Sequence, residues 1–346
     1  MSTPFVRWFE DLTLSDRPSV GGKGASLGEL TRAGIRVPPG FVITTSAFES
    51  AFATLEAERV RERIAGLDAA DLASVASATA QVREKISNLE LPPQVHAAIV
   101  ESYRKLCGSD PNTPIAVRSS ATSEDSADAS FAGLQDTYLW VRGEQAMIDA
   151  VRSCWASLYS AESVSYRLRL KLPEQHVAMA VVVQRMVNAR CSGVMFTRSP
   201  TTGDRSVISI EGSWGLGSAV VSGEVTPDKY VIGKVTGEIV KRVVSQKSTQ
   251  HVPDPQGGVR TQPVAEELQS APCLTDAQIV ELARIAKQVE RHYGAPQDIE
   301  WAIEEDIFLL QSRPETVWAS REKAPVAAPK AKPFDHVLSL LSGRRL

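Results

Sequence analysis

The chain has 346 residues, 43% apolar and 23% charged, with a formal net charge of −3, the profile of a soluble globular protein with room for one large domain or two lobes. That charge, with no Lys/Arg run interleaved with aromatics, excludes a general attraction for nucleic acid, and four scattered cysteines without a CxxC pair exclude a zinc knuckle or disulfide framework. The start "MSTPFVRWFEDL" lacks the pattern of a secretory signal and the apolar run "VAMAVVVQRMV" is too short to span a bilayer, so a cytoplasmic chain without membrane contact is expected.

In chain order, "VGGKGASLGELTRAG" predicts a glycine-rich loop feeding a short helix, and "VPPGFVITTSAF" a turn, a strand and a helix cap. Lys23 lies among Gly21, Gly22, Gly24 and Gly28. This is not a Walker A spacing. It fits either an anion cradle at a helix start or an ordinary turn with a surface lysine. Residues 47–106, rich in Ala, Glu and Leu and broken at Pro92-Pro93, predict a helical section.

From Pro114 the texture changes. "IAVRSSA", "DTYLWV" and "VAMAVVVQRMV" read as strands, and "GEQAMIDAVRSCWASLYSAESVSYRLRL" as helix. Arg118 is expected at a strand end, followed by hydroxyls and a small-residue loop with Gly133 and Thr137. That combination suits a polyphosphate cradle or a serine-rich surface loop. In "VVVQRMVNARCSGVMFTRSP" two strands flank a connector, where Met186 and Val187 either line an adenine ring or are plain core. Glu211 is expected to end a strand before the glycine loop of "GSWGLGSAVVSGEVTPDKY", and "DKYVIGKVTGEIVKRVV" predicts a hairpin. "QHVPDPQGGVRTQPV" reads as a loop. "LTDAQIVELARIAKQVERHYG" reads as a helix capped at Thr275 or Asp276 and stopped at Gly294.

The hairpin "DIEWAIEEDIFLLQSRPE" comes next. With Glu305-Asp306 as a two-residue turn, Glu300 faces Gln311 and Asp298 faces Arg313, all on one side. Ile299, Trp301, Ile303, Phe308 and Leu310 line the other. A carboxylate beside an amide oxygen suits Mg²⁺, and an arginine beyond them a phosphate. The alternative is a solvated face with an Asp298–Arg313 ion pair. After it come an Ala/Pro/Lys linker and an apolar tail. The histidines, His96, His176, His251, His292 and His336, stand apart, so neither a zinc site nor a serine–histidine pair is expected.

Five motifs in one order resemble the ATP-grasp nucleotide-binding domain of the phosphoenolpyruvate synthase, pyruvate phosphate dikinase and rifampin phosphotransferase family. They are "VGGKGASLGEL", "AVRSSATSEDSADASFAGLQDTYL", "VVQRMV" with "SGVMFTRSP", "GSWGLGSAVVSGEVTPDKY" and "DIEWAIEEDIFLLQSRPE". The resemblance covers roughly residues 5–316. It implies an α+β, two-lobed ATP-grasp fold, with a first lobe at 1–190 that includes the helical section, a second at 191–316, and the linker and tail at 317–346. It further implies that Lys23, Arg118 and Arg313 meet the phosphates and that the loop from Gly133 to Thr137 covers them. Gln184, Met186 and Val187 would flank the adenine, Glu211 would touch the nucleotide, and Glu300 and Gln311 would hold Mg²⁺. Ser199 departs from the acidic residue or asparagine common in the family. The family's swivelling domain, with its phosphorylated histidine, and its acceptor domain find no match here. The resemblance therefore implies a partner subunit that bears the histidine and binds a small-molecule acceptor, with ATP split to AMP and phosphate. Such a division resembles the phenylphosphate synthases, which act on phenol.

Overall fold

Residues 4–56, 59–122, 125–126, 129–130, 136–316 and 318 are described by a computed structural model of the chain. The first elements are β1 (Val6–Trp8), α1 (Arg17–Arg32), β2 (Gly40–Ile43), α2 (Thr45–Glu56), α3 (Val60–Ala65), α4 (Leu72–Ser87) and α5 (Pro93–Cys107). Asp71 accepts the Ser74 N–H at the start of α4, and Pro93 sits in the first turn of α5, where its missing N–H is not needed. Then come β3 (Ile115–Ala121), the short pair β4 (Asp125–Ser126) and β5 (Ala129–Ser130), β6 (Thr137–Val141), α6 (Glu144–Ser157), α7 (Ala161–Arg169) and β7 (Met179–Arg185).

Strands β1, β2, β7, β3 and β6 lie in that order in one antiparallel sheet. In β7, Val181 and Val183 enter the core shared with the helical section, while Ala180 and Val182 pack with Val20, Ala25 and Leu27 of α1. A strand covered on both faces accounts for an unbroken apolar run.

After Arg185 the chain crosses to a second antiparallel sheet. The elements that follow are β8 (Cys191–Phe196), β9 (Val207–Trp214), α8 (Ser218–Val221), β10 (Asp228–Gly233), β11 (Ile239–Val243), β12 (Thr249–Pro253), β13 (Val259–Pro263), α9 (Glu266–Gln269), α10 (Asp276–Tyr293), β14 (Gln297–Ile303) and β15 (Ile307–Pro314), with β12 and β13 paired apart from that sheet. The sheet order is β11-β10-β9-β8-β14-β15. Helix α10 begins with a Thr275–Gln278 capping box and ends at Gly294 in the left-handed conformation, as its sequence predicts. Its Ile279, Leu282, Ala286 and Val289 pack with Ile210, Tyr230, Ile299 and Trp301 of the sheet. Leu30 of α1 joins this second core, so α1 is built into both halves of the molecule.

The fold is thus α+β, with four helices over residues 45–107. Three readings need correction. "QHVPDPQGGVRTQPV" is the hairpin β12–β13, pairing Thr249 with Pro263 through to Pro253 with Val259. Its strands are polar and partly exposed, with prolines at their ends, so no apolar alternation announces them. Arg118 and Glu211, expected at strand ends, lie inside β3 and β9. Among the described residues no helix is long and apolar enough to cross a membrane. The linker and tail lie outside the described residues except for Trp318, whose indole N–H donates to the Pro200 carbonyl at 3.0 Å.

Candidate functional site

The β14–β15 hairpin pairs Glu300 with Gln311 and Asp298 with Arg313. It reaches this register by a different route from the one expected. Ile303 pairs with Ile307 around a three-residue turn, and a bulge between Glu300 and Trp301 restores the offset by leaving Leu310 unpaired. The bulge changes which residues face the core. Leu309 is buried in the second core, while Phe308 and Leu310, expected there, are half-buried, and Leu310 borders a cleft instead.

That cleft, of about 340 Å³, lies between the two sheets. Arg118 enters it from β3 and is 8% exposed. Its guanidinium donates to the Glu300 carboxylate at 3.0 Å, the Gln311 side-chain carbonyl at 2.6 Å and the Leu310 carbonyl at 2.9 Å. Thr137, paired with Arg118 across β3 and β6, borders the same cleft. Gln311 also borders a smaller recess with Lys23, Ser26 and Arg313.

Lys23 owes its place to a break in α1. Gly21 has φ 70° and ψ 176°, so a new helical segment starts just before Lys23. A Cβ at Gly21 would lie 2.1 Å from the Ser120 carbonyl oxygen, which makes glycine obligatory there. Ser120 Oγ accepts the Gly24 N–H at 3.2 Å and donates to the Val20 carbonyl at 2.9 Å, stitching the break to β3. Further along, Ser26 donates to the Ser312 carbonyl at 2.6 Å. The predicted glycine loop is therefore a kink inside a helix.

Arg313 is half-exposed and pairs with Asp298 at 2.7 Å. The surface ion pair considered as the plain alternative is therefore present, at the mouth of the recess. Burial raises the Asp298 carboxyl above its usual range, and Arg313 opposes that rise.

Gln184, Met186 and Val187, from the end of β7 and the connector to the second sheet, also line the cleft. Gln184 is buried and donates to the Pro38 carbonyl at 3.2 Å, and the Met186 N–H donates to Pro114 at 2.9 Å. Glu211 is not brought to the cleft. Its carboxylate accepts from Lys229 at 2.9 Å across β9 and β10. Gly133 lies outside the described residues.

Two features escaped the sequence reading. Asp228 of the "TPDKY" motif is fully buried, with Lys247 at 2.6 Å and further donors from Ser245, Cys273 and Tyr230. His251, read as isolated, stands between Ser218 and Glu224. Its Nδ1 lies 2.8 Å from Ser218 Oγ and its Nε2 3.0 Å from Glu224 Oε2. The partners are 33 and 27 residues away, beyond the reach of spacing rules.

Among the described residues no three His, Cys, Asp or Glu side chains gather into a metal cluster. The Glu300–Gln311 oxygens nevertheless already share one cation, the Arg118 guanidinium. Two hard oxygen donors, Glu300 lining the cleft and Gln311 the adjoining recess, fit a Mg²⁺ ion.

Residues 17–333 match the family described as "Pyruvate phosphate dikinase, AMP/ATP-binding domain". The chain is 44% identical over 317 residues to a probable phosphoenolpyruvate synthase of Methanothermobacter thermautotrophicus, covering 90% of this chain and 46% of that one. It is 37% identical over 387 residues to phosphoenolpyruvate synthase of Pyrococcus furiosus, covering 99% and 47%. It is 42% identical over 319 residues to rifampicin phosphotransferase of a Streptomyces species, covering 91% and 36%. The chain thus spans less than half the length of these relatives.

Proposed function

Because the chain belongs to the pyruvate phosphate dikinase AMP/ATP-binding domain family, we propose that it binds and splits ATP for a dikinase-type phosphotransferase. The β-phosphoryl group passes to a histidine on a partner subunit, with AMP and phosphate as products. The observation that carries this reading is the convergence of Arg118 from one sheet with Glu300 and Gln311 from the other, beside Lys23 and Arg313.

In this reading the two sheets close on the nucleotide in the manner of an ATP-grasp fold. The adenine lies toward Met186 and Val187, and the triphosphate runs toward Arg118, Lys23 and Arg313. Glu300 and Gln311 would hold Mg²⁺, which would supply neutralisation of phosphate charge. Arg118 leaves those two oxygens for the phosphates, and a fork of planar donors suits that exchange. Asp298 keeps Arg313 at the recess mouth, and the Gly21 break keeps Lys23 there. Positioning and charge stabilisation are what phosphoryl transfer asks of the protein. Glu211, tied to Lys229, has no part in it.

Among the described residues no histidine side chain borders the cleft or the recess, which supports an acceptor histidine elsewhere. For the final acceptor we favour phenol, on the resemblance to the phenylphosphate synthases. The test supplies the histidine-bearing partner with ATP labelled at the β- or the γ-phosphorus. The β-label should appear on the partner's histidine with AMP released, and the γ-label in inorganic phosphate. Transfer of the γ-label with release of ADP overturns the dikinase-type chemistry. Discharge of the labelled partner to pyruvate or rifampicin, rather than to phenol, overturns the acceptor assignment alone.

A further inference from the structure

The Ser218–His251–Glu224 chain is unused by the reaction above, yet its first member borders the nucleotide cleft. Ser218 opens α8, and the loop before it is fixed to β12 at His251. The Leu216 N–H donates to the His251 carbonyl at 3.0 Å. At Gly215, with φ 75°, a Cβ would lie 2.4 Å from that same oxygen. The His251 ring is largely buried, and Glu224 also accepts from Ser222 at 2.9 Å. These hydrogen bonds hold Glu224 as a carboxylate, below its ordinary range.

The chain sets the hydrogen-bond polarity of Ser218. A carboxylate only accepts, so where the His251 ring carries one proton Glu224 holds it on Nε2. Nδ1 is then an acceptor and takes the Ser218 O–H. What Ser218 Oγ has left to offer the cleft is lone pairs. An acceptor-only hydroxyl repels phosphate oxygens and pairs with a group that carries a hydrogen.

The cleft that Ser218 borders is also lined by the connector at Met186, Val187 and Ala189, by Arg118 and Glu300, and by Ser222 of the α8 region. In a nucleoside triphosphate held there, the sugar carries hydroxyls able to donate.

We propose that Ser218, oriented by His251 and Glu224, accepts a hydrogen bond from a ribose hydroxyl and makes the site selective for ribonucleotides over deoxyribonucleotides. This rests on the reading of the cleft as a nucleotide site. Ser218 touches the ligand, whereas His251 and Glu224 are positioning residues.

Calorimetric titration of the full chain with ATP, 2′-deoxyATP and 3′-deoxyATP tests it. ATP should bind about fivefold more tightly than at least one deoxy analogue, the factor expected of one neutral hydrogen bond. Ser218→Ala should weaken ATP to the level of that analogue while leaving the analogue's own affinity unchanged. Glu224→Gln should narrow the ratio without abolishing binding, a change that general loosening of the loop does not produce. Equal binding of all three nucleotides by the wild type, or an unchanged ratio in Ser218→Ala, overturns the proposal and leaves the nucleotide site standing. Failure of the folded wild type to bind any of the three overturns both.

Discussion

Lys247–Asp228 inside the second half of the molecule and Arg118–Glu300 between the halves are the same chemistry in different surroundings. The first pair is 2.6 Å apart with both side chains at 0% exposure, and Asp228 is saturated by Ser245, Cys273 and Tyr230. The second is 3.0 Å apart, with Glu300 at 28% exposure beside an open cleft. In the sealed pair neither side chain is open to an exchange partner from outside, so it is a structural staple. In the open pair the carboxylate can trade one cation for another. Access, rather than the presence of an ion pair, separates a staple from a working site.

Removing the cation from the sealed pair should have the largest effect. Lys247→Met leaves Asp228 charged and buried, and should cost about 3–5 kcal/mol in urea denaturation. A loss under about 1 kcal/mol would break the comparison. Next, Glu300→Ala should slow AMP formation about 100-fold, the scale for losing one positioned electrostatic contact at a phosphoryl site. Its denaturation midpoint should barely move, because Arg118 keeps Gln311 and Leu310 as partners. A variant with wild-type turnover would reject the metal assignment.

The smallest effect belongs to Asp298–Arg313, a pair at the recess edge. Burial raises the Asp298 carboxyl above its ordinary 3.8, so over that interval the folded chain holds more protons than the unfolded one. Stability from this residue is therefore greatest below the interval and falls as pH rises through it. Asp298→Asn removes this slope. Denaturation midpoints taken as pH rises from the ordinary Asp value of 3.8 should show the wild type losing ground to the variant. Parallel profiles would mean that Arg313 cancels the burial cost.

The sequence displayed its strands where burial demanded apolar side chains, as in Met179–Arg185, and its helices where caps were explicit, as at Thr275 and Gly294. The hairpin β12–β13 stayed hidden because its strands bury little. Among the site residues, the pairing of Glu300 with Gln311 was legible from period-two alternation. The pairing of Glu211 with Lys229 was not legible, because alternation says which side a residue faces but not that Lys229 waits across the next strand. The Ser218–His251–Glu224 and Lys247–Asp228 groups could not be read from spacing. Each joins residues at least 19 apart, and only the tertiary fold brings such partners together.

The unpaired Leu310 has a consequence for how this chain tolerates change in length. Two-residue periodicity would send Leu309 and Gln311 to the same side, yet Leu309 belongs to the core and Gln311 pairs with Glu300 on the other face. The extra residue inverts the parity between them. Deleting it would still set Leu309 against Trp301 and Gln311 against Glu300, now in plain alternation, and would take away the Leu310 carbonyl that Arg118 grips. The strand register tolerates the shorter chain, whereas the guanidinium loses one of its three seats.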